Sequence, residues 1–462
     1  MAKSTTKDMT VGSPMKLVLG FALPMLMGLI FQQVYSLVDT IIVGKFLGVS
    51  ALAAVGSTGS ITFLLIGFCL GVCSGFALPV AQQFGAKNYK ALRKYVGNSA
   101  VLSVLMALIM TIGTVALCRN ILVWMRTPED IIDLAYEYLI VIFAGIPATI
   151  LYNLLAGYLR SLGDSKTPVI FLVLSSVLNI GLDLLFIINL QMGIFGAALA
   201  TVLAQGVSGL LCLWVIIKKF DILKLEKDDW KLDNHYVSVL VNMGFPMGFQ
   251  YSITAIGSVI LQTSVNGLGS IAVASMTAAS KISMFVVCPF DALGSTMATY
   301  GGQNVGAGKI DRLTKGLNAA SLCGIVYSIV IYIVLHFFGE NMIHLFVSAD
   351  QVEVVAEAKE FLLINALFYI ALVFVNVVRF MIQGMGFSGF AVFAGVFEMI
   401  ARALIGIVFV PVFGYTAACF ASPLAWVFAD AFLIPAYAHV LHKLKRRMAK
   451  ADSLQAKGNR LE

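Results

Sequence analysis

The sequence predicts an all-α integral membrane protein with twelve transmembrane helices in two six-helix lobes, related by a pseudo-twofold axis along the membrane normal. Three observations predict it: an excess of apolar residues, long runs without charge, and an internal repeat at a nearly constant offset. Of 462 residues, 60% are hydrophobic and 12% charged, and the mean hydropathy is +0.93. Soluble domains average about 45–50% apolar and about 25% charged. Residues Val101 to Leu117, Val169 to Leu178 and Gly324 to Leu335 carry no charge, and a spanning helix needs roughly 17–25 mostly apolar residues. Lipid cannot satisfy backbone polar groups, so spans are helices or a closed barrel. The runs lack the period-2 alternation of a barrel.

Twelve spans are expected near residues 15–40, 52–80, 93–118, 131–160, 167–189, 194–218, 237–265, 272–300, 314–338, 359–384, 388–412 and 416–441. The apolar stretch after Ser13 is too long for a signal peptide and reads as the first span. Turns between spans carry Gly, Pro, Asn and charges, as in Leu162-Gly163-Asp164-Ser165-Lys166-Thr167-Pro168. The expected divisions are a polar N-terminal segment (1–14), a first lobe (15–218), a linker (219–236), a second lobe (237–442) and a tail (443–462). The tail from Met448 to Glu462 is polar and is expected to lack fixed structure.

Orientation follows from the basic residues. With the N-terminus inside, the inner segments hold 24 of the 31 Lys and Arg residues. The outer segments hold four: Lys45, Arg119, Arg126 and Lys359. Both termini are therefore expected in the cytoplasm. The formal charge of +7 reflects this orientation and is no sign of nucleic-acid binding.

The halves repeat. Gln82-Gln83-Phe84-Gly85-Ala86-Lys87 is echoed by Gln303-Asn304-Val305-Gly306-Ala307-Gly308, Pro24 by Pro246, and Leu159-Arg160-Ser161-Leu162-Gly163 by Ile382-Gln383-Gly384-Met385-Gly386. The offsets are 221, 222 and 223 residues. An even number of spans per half inserts both halves in the same direction, which gives the axis its direction along the membrane normal.

Ionisable residues inside spans are costly and are functional candidates by default. They are Asp39, Asp183, Asp291, Glu398, Arg402 and Asp430, with Lys281 and Arg379 near span ends. Asp39 and Asp183 stand out. Asn179 lies four residues before Asp183, and Tyr35 four before Asp39, each on one helix face. A carboxylate held partly out of water can exchange a proton, or Na⁺, when access changes; alternatively, each aspartate only hydrogen-bonds across a helix contact. Glu398 and Arg402 are four apart and read as an ion pair stabilising the second half. Asp291 is divided between a second-half polar network and a cavity lining, and Asp430 reads as structural. Pro24, Pro79, Pro147, Pro246 and Pro289 lie within spans, where each can bend a helix; Pro24 is the foremost hinge candidate. The 19 Met and 32 Phe residues suit a promiscuous apolar cavity, although lipid-facing packing explains most of them.

Enzyme signatures are missing. Gly301-Gly302-Gln303-Asn304-Val305-Gly306-Ala307-Gly308 lacks the Gly-Lys-Ser/Thr of a P-loop, and no metal-spaced His or Cys cluster occurs. Cys69 and Cys73, four apart, read as packing thiols. No cofactor is expected beyond H⁺ or Na⁺ as coupling ion.

Pro24 with Val38-Asp39-Thr40-Ile41-Ile42-Val43-Gly44, the Gln82-Gln83-Phe84-Gly85-Ala86 stretch, Leu159 to Pro168 and Gly302-Gln303-Asn304-Val305-Gly306-Ala307-Gly308 together resemble the MATE (multidrug and toxic compound extrusion) transporters, from about Gly12 to about Arg447. The resemblance is closest to the prokaryotic branch of the DNA-damage-inducible F (DinF-like) proteins. It implies a V-shaped cleft open alternately to either side, in the plasma membrane of a prokaryotic cell. It also implies export of amphipathic, often cationic, organic compounds against H⁺ or Na⁺. In that branch first-lobe aspartates carry the coupling cation, which maps to Asp39 and Asp183 with Asn179 beside them, so Na⁺ is a candidate ion at that pair. Tyr35, Tyr138, Asn153 and Thr201 match the polar lining of that lobe. Pro24 matches a bending proline, and Glu398 with Arg402 a second-half feature. Another branch, typified by NorM, places a glutamate eight residues after the span-seven proline, where this chain has Thr254. Expected partners are small organic compounds, H⁺ or Na⁺ and the lipid bilayer, with no nucleic acid, and the chain is expected to act as a monomer. The alternatives are a lipid-linked oligosaccharide flippase of the same superfamily and a membrane channel or receptor.

Overall fold

The computed structural model describes residues 6–348 and 350–458. Among the described residues the regular structure is helical, with no strand. The first half comprises α1 (Pro14–Leu47), α2 (Val49–Gly85), α3 (Tyr89–Trp124), α4 (Ile132–Ala144), α5 (Ile146–Ser161), α6 (Lys166–Leu184) and α7 (Gly193–Lys219). The second comprises α8 (Asn234–Asn266), α9 (Ser270–Val286), α10 (Cys288–Gly306), α11 (Ile310–Ile343), α12 (Val352–Leu367), α13 (Tyr369–Gly384), α14 (Gly389–Leu404) and α15 (Val410–Gly458). A π-helical turn follows α6 (Leu185–Asn189) and another follows α14 (Ile405–Phe409).

Twelve crossings follow from these helices. Seven helices are long and apolar enough to span a membrane, and three bent pairs each span once: α4 with α5 at 44°, α9 with α10 at 43°, and α12 with α13 at 52°. One of the seven, Gly389–Lys450, is interrupted at Gly414 (φ 64°, ψ −143°) and supplies two crossings. The long helix α8 has no Asp, Glu, Lys or Arg and is the twelfth. Two of the breaks have a local cause: Pro147 and Pro289 sit in the first turn of α5 and α10, where a ring cannot continue the preceding helix. The break at Phe368 has no proline.

The repeat reaches into the backbone. Positive φ angles recur in pairs: Gly48 (87°) with Gly269 (103°), Lys87 (57°) with Gly308 (70°), Gly163 (81°) with Gly386 (93°), and Gly193 (61°) with Gly414 (64°). Their offsets of 221, 221, 223 and 221 are those of the sequence motifs. Three of the four pairs use glycine at both places, because only glycine adopts this conformation at no steric cost.

The chain packs as two compact units. One takes in residues up to Lys7 with Leu23–Val80 and Asn88–Ala255; the other takes in Asp8–Ala22, Ala81–Lys87 and the chain from Ile256 onward. Thus α1 changes unit next to Pro24, and α8 changes unit after Ala255. In the first unit, Gly71 and Gly75 of α2 meet the backbone of Met243–Gly248 in α8, with built Cβ positions at 2.5 Å from Met247 O and from Gly244 Cα. This is small-residue packing, which lets membrane helices approach closely. Residues 226–233 of the linker lie along α3. Asn98 donates to Lys231 O (3.2 Å) and accepts from Asp233 N–H (3.0 Å), and Arg93 faces Asp229 (3.5 Å).

In the second unit the N-terminal segment is pinned in a corresponding way. Met9 N–H donates to Gln303 Oε1 (2.8 Å), Asn304 Nδ2 to Met9 O (3.2 Å), Lys309 Nζ to Thr10 O (2.9 Å) and Arg312 Nη2 to Gly12 O (2.9 Å). The duplicated Gln-x-x-Gly motifs meet here reciprocally. A Cβ on Gly85 would collide with Gln303 O, and one on Gly306 with Gln82 O, while Gln82 Nε2 donates to Gly384 O (2.9 Å). The tail departs from expectation. α15 continues to Gly458, because the Lys-, Leu-, Arg-, Met- and Ala-rich stretch after Pro435 has high helix propensity. Residues 459–462, which the expectation also covered, lie outside the described residues.

The glycine crossing generates a test. Gly85→Ala and Gly306→Ala should each cost about 1–3 kcal/mol by overpacking, read as a lower thermal midpoint in detergent. Gly113→Ala, on open helix in α3 with nothing within 4 Å, should be neutral or stabilising by up to about 1 kcal/mol.

Candidate functional site

The first unit assembles the candidate site from α1, α4, α6 and α7. Asp183 lies on the last turn of α6, just before the π-helical turn, a local widening often found at functional sites. Its side chain is fully buried. Asn179, one turn earlier, is also buried. With its amide turned to satisfy both ends, Asn179 donates to Asp183 Oδ2 (3.3 Å) and accepts from Thr201 N–H of α7 (3.2 Å). In the opposite orientation it donates only to Thr201 Oγ1 (3.4 Å). We assign the first orientation from the network.

Asp39 on α1 is half-buried, and its carboxyl group engages that of Asp183 side chain to side chain. Oδ1 of each aspartate is buried without a hydrogen-bond partner, and among the described residues neither forms an ion pair. Ionised carboxylates only accept hydrogen bonds, so two of them in contact repel each other unless a proton or cation is shared. Tyr35 and Tyr138 lie close enough to feel both charges. Tyr138 is held by the packing of Val141, Ile142 and Ala198, with Leu199 and Val202 beside it.

The structure thus brings together Asp39, Asp183, Asn179, Thr201, Tyr35 and Tyr138. It spends Asn153 differently: its amide donates to Thr149 O of its own helix (2.8 Å). Thr254, the position of the other branch's glutamate, donates its hydroxyl to Gln250 O (3.0 Å). Sequence reasoning missed Thr149 and Gln205, whose side chains hydrogen-bond between α5 and α7. The available signal was Gln205 itself, four residues after Thr201 in an otherwise apolar span. Pro24 lies within α1, helical on both sides. Among the described residues no three His, Cys, Asp or Glu side chains converge as a metal site. A separate apolar cavity of about 940 Å³ in this unit is lined by α3, α5, α7 and the linker. None of the acidic pair or its neighbours lines it.

The second unit holds a different charge cluster. Glu398 of α14 is ion-paired to Arg379 of α13 and to Arg402 (3.4 Å), with all three side chains less than a tenth exposed. Asp291 and Asp430 lie within electrostatic reach of Arg379. Asp291 is exposed and Asp430 buried. The i,i+4 pair expected from the sequence is present, and Arg379 is its unrecognised third member.

A twelve-helix, two-unit membrane fold with a buried carboxyl pair defines a polytopic membrane transporter. The MatE family model matches this chain twice, over residues 24–185 and 246–412, and the chain belongs to that family. It is 30% identical over 341 residues to the probable multidrug resistance protein YoeA of Bacillus subtilis, covering 72% of this chain and 73% of that protein. It is also 30% identical over 366 residues to the probable multidrug resistance protein YpnP of the same organism, covering 78% and 80%. Its fold matches an outward-facing multidrug resistance MATE family transporter of the MOP superfamily with a TM-score of 0.89 at 22% identity, covering 96% of this chain and 99% of that one.

The arginine–glutamate cluster makes a stability prediction. Glu398→Gln leaves two buried guanidinium groups without their anion, which should cost about 3–5 kcal/mol. Adding Arg379→Gln should restore part of it. Thermal unfolding of the three purified proteins checks this, and an unchanged midpoint in the single variant would count against the pairing.

Proposed function

We propose that this protein is a secondary active transporter, not an enzyme. It exports amphipathic, often cationic, organic compounds by antiport with H⁺ or Na⁺ through alternating access. The observation that carries this reading is the Asp39–Asp183 pair, two carboxyl groups in contact, each with a buried oxygen lacking a partner. Two adjacent carboxylates repel each other strongly. One proton, or one Na⁺ held by the carboxylate oxygens with Asn179 beside Asp183, relieves that repulsion. An organic cation placed near the same pair relieves it as well. Either cation makes the other less needed, so the two exclude each other electrostatically, which is what antiport requires. The rings of Tyr35 and Tyr138 offer faces that attract an organic cation and tolerate many shapes. The names of the relatives, both probable multidrug resistance proteins, agree with export of varied compounds.

The transporter sits in the plasma membrane of a prokaryotic cell as a multi-pass monomer with both termini in the cytoplasm, in line with the 24-to-four distribution of basic residues. Its expected lobes are residues 15–218 and 237–442, and Pro24 is the hinge of the first helix. A fluorescent protein fused after Glu462 should fluoresce in cells, and alkaline phosphatase fused there should be inactive. The reverse pattern would invert the topology.

The central test uses proteoliposomes loaded with a fluorescent organic cation under an imposed proton or sodium gradient. Wild-type protein should transport under at least one gradient. Asp39→Asn and Asp183→Asn should each lose gradient-driven transport while keeping a normal thermal midpoint, because the substitution removes the charge and keeps the shape. Coupled transport at the wild-type rate in both variants would refute the reading.

A further inference from the structure

A second charged site lies at the end of α15. His439, His442, Lys443, Arg446, Arg447 and Lys450 line a concavity of about 290 Å³. Their spacing of three and four residues places them along one helix face. Among the described residues no carboxylate is ion-paired to Lys443, Arg446 or Arg447. The neighbouring Lys445 turns instead to Asp311 (3.9 Å). Among the described residues, the charges of Lys443, Arg446 and Arg447 are therefore not neutralised by an ion pair.

What lies beside the basic face gives the ligand its class. The ring of Phe387, in the turn between α13 and α14, sits under Lys443 (5.3 Å) and Arg447 (5.9 Å). Phe390 flanks His439 with ring centroids 6.5 Å apart. From Phe390 an aromatic series continues away from the basic end. Phe390 stacks on Phe432 (6.2 Å), and Phe432 packs with Phe393 (6.0 Å) and Phe397 (5.3 Å). Phe393 is 59% exposed and Phe397 37%, on a helix read as spanning the bilayer. From Phe387 to Phe397 is ten residues, about 15 Å of helix rise, which is half of the roughly 30 Å hydrocarbon core. A soluble anion would use the basic face and leave the aromatic strip idle. A molecule with an anionic head and one leaflet's length of acyl chain uses both.

We propose that this face of the second unit binds an anionic phospholipid, with its phosphate among Lys443, Arg446 and Arg447 and its chain along Phe390, Phe432 and Phe393. Basic clusters directly beyond a membrane helix attract acidic headgroups, and the aromatic strip turns that general attraction into a site. The site lies apart from Asp39 and Asp183 and does not depend on the antiport reading.

The test uses the purified full-length chain in a neutral detergent, titrated with phosphatidylglycerol, phosphatidylcholine or inorganic phosphate. Thermal unfolding and native mass spectrometry are the readouts. Phosphatidylglycerol should raise the thermal midpoint and remain bound in the mass spectrum, and added salt should weaken both effects. Phosphatidylcholine and inorganic phosphate should do neither. The combined variant Lys443→Gln, Arg446→Gln, Arg447→Gln should bind phosphatidylglycerol roughly 100-fold more weakly while unfolding at the wild-type temperature without lipid. Lys218→Gln with Lys219→Gln and Lys224→Gln, which removes the same charge in the first unit, should bind as wild type. Equal phosphatidylglycerol binding by both triple variants would overturn the site. Stabilisation by inorganic phosphate equal to that by phosphatidylglycerol would overturn the lipid as its ligand.

Discussion

The cost of holding charge inside a low-dielectric medium organises this molecule. A buried ion persists only where something compensates it, and the two units meet that demand in opposite ways. In the second unit Glu398 lies between Arg379 and Arg402, with Asp291 and Asp430 around them. Anions and cations there both come from the chain itself, and the Glu398–Arg379 pair links α14 to α13. In the first unit Asp39 and Asp183 have no basic partner among the described residues. Asp39 and Asp183 face each other with one oxygen each unanswered. On the antiport proposed above, compensation for that pair comes from a proton, Na⁺ or an organic cation.

The repeat shows how one architecture serves both purposes. Positive-φ turns, the π-helical turns after α6 and α14, and the Gln-x-x-Gly motifs recur at almost the same offset, and the family model likewise matches once in each half. The backbone frame is duplicated, whereas the charges are not. Counted at the offset of 223, Asn179 corresponds to Arg402 and Asp183 to Gly406. The same helix position thus carries an amide and an acid in one half, and an ion-pairing guanidinium and a glycine in the other.

Much of this was legible in the sequence because the bilayer imposes simple rules. Span length, uncharged runs and the duplicated motifs gave the twelve helices, and in-span acids pointed to Asp39 and Asp183. Glu398 with Arg402 was readable because i,i+4 neighbours share a helix face. Arg379 was not, because it is 19 residues from Glu398 and on another helix, where only tertiary packing brings the two together. The donor of Asn153 was not predictable from sequence, because a lone polar residue can spend it on its own helix, as Asn153 does on Thr149 O. The break at Phe368 carries no proline to announce it, and the helical tail follows from propensity in a stretch whose charge invited the opposite reading. The change of unit in α1 falls next to Pro24, whereas that after Ala255 in α8 has no proline beside it.

Antiport at this site requires that Na⁺ or a proton and the organic cation compete for the Asp39–Asp183 pair. The most direct measurement is proton release from detergent-solubilised protein in weakly buffered solution when an organic cation, or NaCl against a KCl control, is added. In sodium-free solution, where only protons can occupy the pair, wild-type protein should release protons on addition of the organic cation, and the Asp39→Asn, Asp183→Asn double variant should release none. Release of the same size from the double variant, or none from wild-type protein that demonstrably binds the cation, would contradict the claim.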